Sequence, residues 1–270
     1  MSDSNPVSAA AAGGPRLVAL ITGASAGIGV EFARRLAARG YDLVLVARRR
    51  DRLEALAREI TAAHPTVRVD VVAEDLLDPS ALERITVKLA ATNVAIDLLV
   101  NNAGFGAHGA FAQSDPANGA NQIALNVAAL VALSRAFVSG MVERGRGGII
   151  NVASTAAFQP VPQMAVYGAT KAFVLSFSEA LHEEVRRSGV RVLALCPGAT
   201  DTEFFGIAGE SAAVGSKRNV RDVVETALRA FDAKRAVAID GSLNAAMATG
   251  VRFVPRAVVR RMSATLMKTP

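Results

Sequence analysis

The sequence predicts an α/β fold, a doubly wound parallel β-sheet of about seven strands with helices on both faces. Three observations predict it. From Arg16 onward, short β-branched runs alternate without interruption with longer amphipathic stretches. The runs are apolar along nearly their whole length, as strands covered on both faces must be. No internal repeat or linker divides residues 16 to 240, and 270 residues, 51% of them apolar, are enough for one large core. In such a sheet the ligand is expected outside the carboxyl ends of the strands, near the point where strand order reverses.

Residues 1–15, rich in Ala, Ser, Gly and Pro, are expected to form a disordered tail. The tail has neither the basic nor the apolar region of a signal peptide, and the single cysteine, Cys196, has no intrachain partner. A cytoplasmic protein is therefore expected. No run of 18 apolar residues occurs, so no membrane span is expected.

The first strand, "LVALIT", leads into "TGASAGIGVEFARRLAARG", a Gly-x-x-x-Gly-x-Gly loop formed by Gly23, Gly27 and Gly29 and followed by an amphipathic helix. Glycines there admit positive φ and let backbone N–H groups approach a phosphate, while the helix N-terminus offers its dipole to the anion. Ser25 and Ile28 belong to the same loop.

The second strand, "LVLVA", ends without the acidic residue that ordinarily receives the ribose 2'-hydroxyl of NAD. Ala47 stands there, followed by Arg48 and Arg49 at the start of a helix, where the helix dipole disfavours cations. An anionic ligand would offset that cost. The 2'-phosphate of NADP is the candidate, with Arg48 forking to the phosphate or stacking on adenine and Ser25 adding a hydroxyl. Arg50 and Arg52 read as a solvated helix face.

The third strand, "VRVDVV", is followed by Asp75 and Leu76, and the fourth, "IDLLVN", by Asn102, Ala103 and Gly104. Asp75 can accept from an adenine amino group, and the small residues would let backbone lie against the adenosine ribose. In the next helix, "IALNVAALVALSRAFV", Asn126 is expected to interrupt the helix locally and hold a water.

The fifth strand, "GIINVAS", ends at Ser154, which can donate a hydrogen bond to a substrate oxygen. On the long helix beyond it, Tyr167 and Lys171 are i,i+4 neighbours. A free phenol titrates near 10, and an ammonium at about 4 Å in an effective dielectric near 20 contributes about 4 kcal/mol, enough to lower it by about three units. The sixth strand is "VRVLALC" and the seventh "AVAI".

These residues resemble, from about Arg16 to Asp240, the short-chain dehydrogenase/reductase family of NAD(P)-dependent oxidoreductases, whose sheet is of the Rossmann type. "TGASAGIG" is similar to the family's cofactor loop, "NNAG" to its adenosine-side motif, and Asn126, Ser154, Tyr167 and Lys171 to its catalytic tetrad. "CPGATDT" is similar to the segment after the sixth strand. The resemblance implies that Tyr167 transfers the proton, Lys171 orients the nicotinamide ribose, and Asn126 completes a proton relay. It also implies that Pro197, Gly198 and Thr202 sit beside the nicotinamide. The loop carries Ala26 where many NADP-binding members have a basic residue.

An NADP(H)-dependent oxidoreductase is therefore expected, NADP(H) preferred over NAD(H), acting on a carbonyl or secondary alcohol of an apolar small molecule. Phe158, Phe204, Phe205, Pro160 and Pro162, in the loops expected to border the nicotinamide, suggest that apolar character. The alternatives are a non-catalytic dinucleotide-binding or interaction protein on the same fold, and a nucleoside-cofactor transferase, which leaves Tyr167 and Lys171 unexplained. A hydrolase is disfavoured because Ser154 lacks a Gly-x-Ser-x-Gly elbow. His64, His108 and His182 have no metal-ligand spacing, so no metal is expected.

The net charge of +6 is nearly all carried by residues 251 to 270, which hold Arg252, Arg256, Arg260, Arg261 and Lys268 and no acid. With no tryptophan and two tyrosines, a stacking platform for nucleic acid is not expected. Residues 241–270 form a basic extension in which Pro255 suits the first turn of an amphipathic helix, with Val258, Val259, Met262 and Leu266 on one arc. It is read as a lid or subunit contact, with attachment to an anionic membrane surface the less favoured use. Surplus apolar surface on the helices starting near Gly119 and Ala165 predicts a homodimer or homotetramer.

Overall fold

All seven expected strands are present in the computed structural model, which describes residues 16–209, 212 and 216–267. The tail expected at residues 1–15 and Lys268 lie outside the described residues. Strands β1 (Val18–Thr22), β2 (Asp42–Ala47), β3 (Val69–Ala73), β4 (Leu98–Asn101), β5 (Gly147–Val152), β6 (Val190–Cys196) and β7 (Val237–Ile239) form one parallel sheet. Their order is β3-β2-β1-β4-β5-β6-β7. Strand order reverses between β1 and β4, so the carboxyl ends of those two strands flank the crevice where a ligand belongs.

Helices α1 (Gly27–Ala38), α2 (Arg50–Ala63) and α8 (Val220–Asp232) cover one face, packing Phe32, Leu36, Leu53 and Val224 against alternate residues of β1, β2 and β6. Helices α3 (Ala81–Ala91), α5 (Leu130–Glu143) and α6 (Ala165–Val185) cover the other through Ile85, Leu133 and Val185. Continuous burial of β2 and β6 on both faces explains why their sequences are apolar without alternation.

Helix α4 (Pro116–Ile123) is capped by Asp115, whose carboxylate accepts from the Ala117 amide at 2.9 Å, and continues through a π-helical stretch at Ala124–Ala129 into α5. The expected interruption at Asn126 is thus a π turn. The expectation of no possible membrane span needs correction, because Pro116–Glu143 is one 28-residue helix long and apolar enough to cross a membrane by length and composition. In this fold it lies against α6, β4 and β5.

Beyond β6 come α7 (Phe204–Ala208), then α8 and β7, and finally α9 (Ser242–Gly250) and α10 (Arg256–Leu266). Pro255 precedes α10 as expected. The loop after β6 is tied down by the fully buried Asp240, which accepts from Arg218 Nε at 2.9 Å and Thr226 Oγ1 at 3.0 Å. Arg218 in turn exchanges backbone hydrogen bonds with Ala199 and Asp201.

Candidate active site

A single cavity of about 930 Å3 runs along the carboxyl ends of the strands. It begins at Arg48 and Arg49, passes Gly23, Ser25, Gly27 and Ile28, and reaches Ser154, Tyr167 and Lys171. Asp75, Leu76, Asn102, Ala103 and Gly104 line its floor on one side, and Pro197, Gly198 and Thr202 on the other. The structure therefore brings together every predicted site residue except Gly29 and Asn126, which stand directly behind the lining.

The glycine loop needs its glycines for two different reasons. Gly27 takes φ +53, a conformation that side chains disfavour, at the turn that opens α1. Gly29 lies in the first turn of the helix, where a Cβ would come within 2.4 Å of the Gly23 carbonyl. Its absence lets the helix N-terminus close on the strand and leaves the amides at the start of α1 facing the cavity. Thr22 and Asn102 brace the loop. The Thr22 hydroxyl accepts from the Asn102 and Ala103 amides, each at 3.0 Å, and Asn102 Nδ2 donates to the Thr22 carbonyl at 2.9 Å. This cradle, open to N–H groups and free of intruding Cβ atoms, fits a dinucleotide pyrophosphate.

At the far end the two arginines separate. Arg49 directs Nε and Nη2 onto the Ser25 hydroxyl at 3.2 and 3.1 Å and places Nη1 2.8 Å from Glu203. Arg48 is largely exposed and lies 4.0 Å from Asp75. The guanidinium seated with Ser25 is that of Arg49, whereas the sequence assigned the leading role to Arg48. Arg52 is not merely a solvated residue, since it also pairs with Glu203. Asp75 uses one carboxylate oxygen to accept from the Leu77 amide at 3.0 Å, and the other is the one that faces Arg48.

At the catalytic end, β5 and α6 set the geometry. Ser154 has extended backbone just past β5, and its hydroxyl accepts from the Ala156 amide at 3.1 Å, keeping its own hydrogen to donate. Lys171, buried in the second turn of α6, donates from Nζ to the Val152 carbonyl at 2.7 Å and stands 5.8 Å from the Tyr167 ring centroid. Asn126 fixes the segment after β4: its Oδ1 accepts from the Phe105 amide at 3.1 Å and its Nδ2 donates to the Phe105 carbonyl and to Thr170 Oγ1. A Cβ on Gly104 would meet Asn126 Oδ1 at 2.9 Å and Lys171 Nζ at 3.5 Å, so only glycine leaves the tetrad its present spacing.

The electrostatics correct the expectation that lysine lowers the tyrosine. The Tyr167 side chain keeps partial solvent access at the cavity wall, yet burial pushes its phenol up to about 12, while a hydrogen bond with Ser154 pulls it back. Burial draws Lys171 down to about 8. Desolvation is the largest influence on both groups, and the Lys171 ammonium spends a hydrogen bond on the Val152 carbonyl.

Sequence reading missed several cavity residues. Glu203 and Arg52 meet across 151 positions. Asn244, Met247 and Met267 arrive from α9 and the residue after α10, whereas Phe204, which packs 5.3 Å from Tyr167, and Val259 of α10 were among the residues the sequence singled out. The three histidines carry no metal site, and no cluster of metal-ligating side chains occurs among the described residues. Burial also pushes Cys196 up to about 12, which keeps it an unreactive core thiol.

Residues 17–212 match the family model described as short chain dehydrogenase. A very-long-chain 3-oxoacyl-CoA reductase of Bos taurus is 36% identical over 197 residues, covering 70% of this chain and 61% of that protein, so the chain spans about three fifths of its length. The NADP-dependent 3-hydroxy acid dehydrogenase YdfG of Salmonella typhi is 38% identical over 198 residues, 71% of this chain and 76% of that one. Among solved structures, a short-chain dehydrogenase from Sphingobium yanoikuyae in complex with NADPH superposes with a TM-score of 0.80 at 38% identity, covering 88% of this chain and 92% of that chain. With the sheet order and the cavity described above, these likenesses place the chain in the short-chain dehydrogenase/reductase family, as an NAD(P)-dependent oxidoreductase of alcohols and carbonyls.

Proposed function

We propose that this protein is an NADP(H)-preferring reductase of an uncharged, apolar carbonyl compound. The observation that carries the reading is the distribution of charge along the cavity. Its charged lining residues are Arg48, Arg49, Glu74, Asp75 and Glu203 at the cofactor end and Lys171 at the chemistry. Beyond Tyr167 the described lining is mainly apolar, with Leu125, Val161, Met164, Phe204, Val251 and Met267 among it; the polar side chains there, Asn121, Gln159, Asn244 and Ser263, are uncharged and offer no cation to a substrate carboxylate or sulfonate. At the other end Arg49 and Ser25 stand where an NAD-type site would present a carboxylate. The NADPH-bound relative and the NADP-dependent one agree with that preference, and the very-long-chain acyl reductase agrees with an apolar substrate.

A bound nicotinamide dinucleotide supplies or receives the hydride. The chain supplies the rest. Tyr167 Oη gives its proton to the carbonyl oxygen as general acid. Ser154 Oγ donates to the same oxygen and stabilises the charge that develops on it. Lys171, anchored on Val152 O, is placed to orient the nicotinamide ribose, and Asn126 to hold the water of a proton relay at the π turn. We further infer a symmetric homodimer or dimer of dimers, supported by the outward Ile123 and Val142 of the α4–α5 helix and Phe173 of α6.

The test is a kinetic panel. NADPH is expected to exceed NADH in kcat/KM, and bulky apolar ketones to exceed oxo acids of similar length. Arg49→Ala should weaken NADPH by about 1.5 to 3 kcal/mol, the value of a charge-assisted bond, and NADH little. Arg48→Ala should cost less. Equal loss of both cofactors in Arg49→Ala, or faster turnover of the carboxylates, would refute the proposal.

A further inference from the structure

We propose that Glu203 is a specificity-determining residue, an internal anion that occupies the site of the 2'-phosphate and competes with it for Arg49 and Arg52. This inference rests on the NADP(H) reading above. The geometry is that of a phosphate stand-in. Glu203 Oε2 accepts from Arg49 Nη1 at 2.8 Å, and Oε1 accepts from Arg52 Nη1, so one carboxylate bridges two guanidinium groups with separate oxygens. The remaining edge of Arg49, Nε and Nη2, is already committed to Ser25. A phosphate arriving beside Ser25 therefore meets an Arg49 whose Nε and Nη2 are held by Ser25 and whose Nη1 is shared with Glu203, so full pairing with both arginines requires Glu203 to yield.

The three side chains keep 40, 46 and 48% of their surface for Arg49, Arg52 and Glu203, so solvent screens the bridge and makes it replaceable. A phosphate monoester carries more charge than a carboxylate and three acceptor oxygens, so it outcompetes Glu203 at the cost of part of its own affinity. A 2'-hydroxyl cannot, and NAD(H) would bind with the bridge intact. Glu203 thus narrows the margin between the two cofactors. The bridge also has a mechanical consequence, because Glu203 lies between Thr202, which rests over Gly27, and Phe204, which packs on Tyr167.

Two probes isolate the 2'-phosphate: adenosine 2',5'-bisphosphate and adenosine 5'-monophosphate, titrated calorimetrically into the full chain at low salt. Glu203→Gln keeps the shape and removes the charge. It is expected to tighten the bisphosphate roughly threefold to tenfold, the worth of an exposed two-arginine bridge, and leave the monophosphate unchanged. Glu54→Gln removes a neighbouring charge on α2 that pairs instead with Arg50, outside the cavity lining, and should leave both probes unchanged. A wild-type protein that binds the two probes equally, with a Glu203→Gln variant that prefers the bisphosphate, would support the competition and defeat the NADP(H) reading. A wild-type preference for the bisphosphate that Glu203→Gln leaves the same or weakens would overturn the competition alone. So would an equal gain from Glu54→Gln or an equal gain for the monophosphate. An unchanged circular dichroism spectrum and melting temperature establish that each variant is folded.

Discussion

Tyr167 and Lys171 are driven toward their neutral forms by the same burial, and this has a consequence measurable without substrate. Lys171 is drawn down to about 8 from 10.5, so between those values the unfolded chain holds a proton that the folded chain has lost. Stability therefore rises with pH across that window, and below it the cost of burying the ammonium stands in full. Tyr167 acts in the opposite sense only above pH 10, where the unfolded phenol ionises and the folded one, held up to about 12, does not. From pH 8 to 10, wild type should gain about 2 kcal/mol relative to Lys171→Met in urea unfolding, at 1.36 kcal/mol per unit. Parallel curves for the two proteins would show that Lys171 keeps its charge. The spacing of Tyr167 and Lys171 was legible in the sequence, as was the disruption at Asn126, because both are local along one helix. The sign of the tyrosine shift was not, since it depends on atoms brought in by β5, β6 and α7. The Glu203 bridge was equally hidden, as its partners lie 151 and 154 residues away.

Adjacent elements beneath the site are joined by a buried chain of polar side chains. Asn101 and Asn151 sit side by side in the register of β4 and β5, and Asn101 Nδ2 donates to Asn151 Oδ1 at 2.9 Å and to Ser134 Oγ at 3.0 Å. Asn151 Nδ2 then donates to Ser178 Oγ at 2.9 Å, which connects β5 to α6, the helix that carries Tyr167 and Lys171. Removing the middle member strands a buried donor on Asn101 and takes a partner from Ser178. Asn151→Ala should therefore cost about 2 to 4 kcal/mol of stability, which a shift in urea midpoint at unchanged slope would report. A loss below about 0.5 kcal/mol, the range of an ordinary surface change, would mean the chain is dispensable. The strands themselves were readable because full burial leaves a continuous apolar signature, and all seven appear where the β-branched runs lie. The asparagines were not readable as a network. A polar residue at the end of an apolar strand looks like a turn until the neighbouring strand is placed.

Across the whole molecule, the basic C-terminal segment belongs to the cavity. Asn244 Nδ2 donates to the Asp240 carbonyl at 2.8 Å and presses so closely on Gly198 that a Cβ there would come within 2.4 Å, which joins α9 to the loop beside the nicotinamide end of the site. From α10 and the residue after it, Val259 and Met267 are buried, and Met267 packs in one cluster with Met164, Tyr167 and Phe204. That placement favours a lid. Met262 and Leu266 are exposed at the border of the cavity, while Val258 of α10 and Phe253 before it are exposed outside the lining, so subunit packing and contact with an anionic membrane remain distinct uses with distinct readouts. Deleting residues 251–270 removes the Met267 contact and opens the apolar end of the cavity while leaving Arg49, Ser25 and the glycine loop intact. With a fully buried methionine side chain worth about 1.5 to 3 kcal/mol, KM for an apolar ketone should rise roughly tenfold to a hundredfold, with the NADPH dissociation constant within about twofold of wild type. Unchanged KM with a smaller particle in sedimentation would assign the segment to subunit packing. Unchanged kinetics and assembly, with loss of co-sedimentation with vesicles rich in phosphatidylserine at physiological salt, would assign it to the membrane surface, where each arginine contributes about 1 kcal/mol.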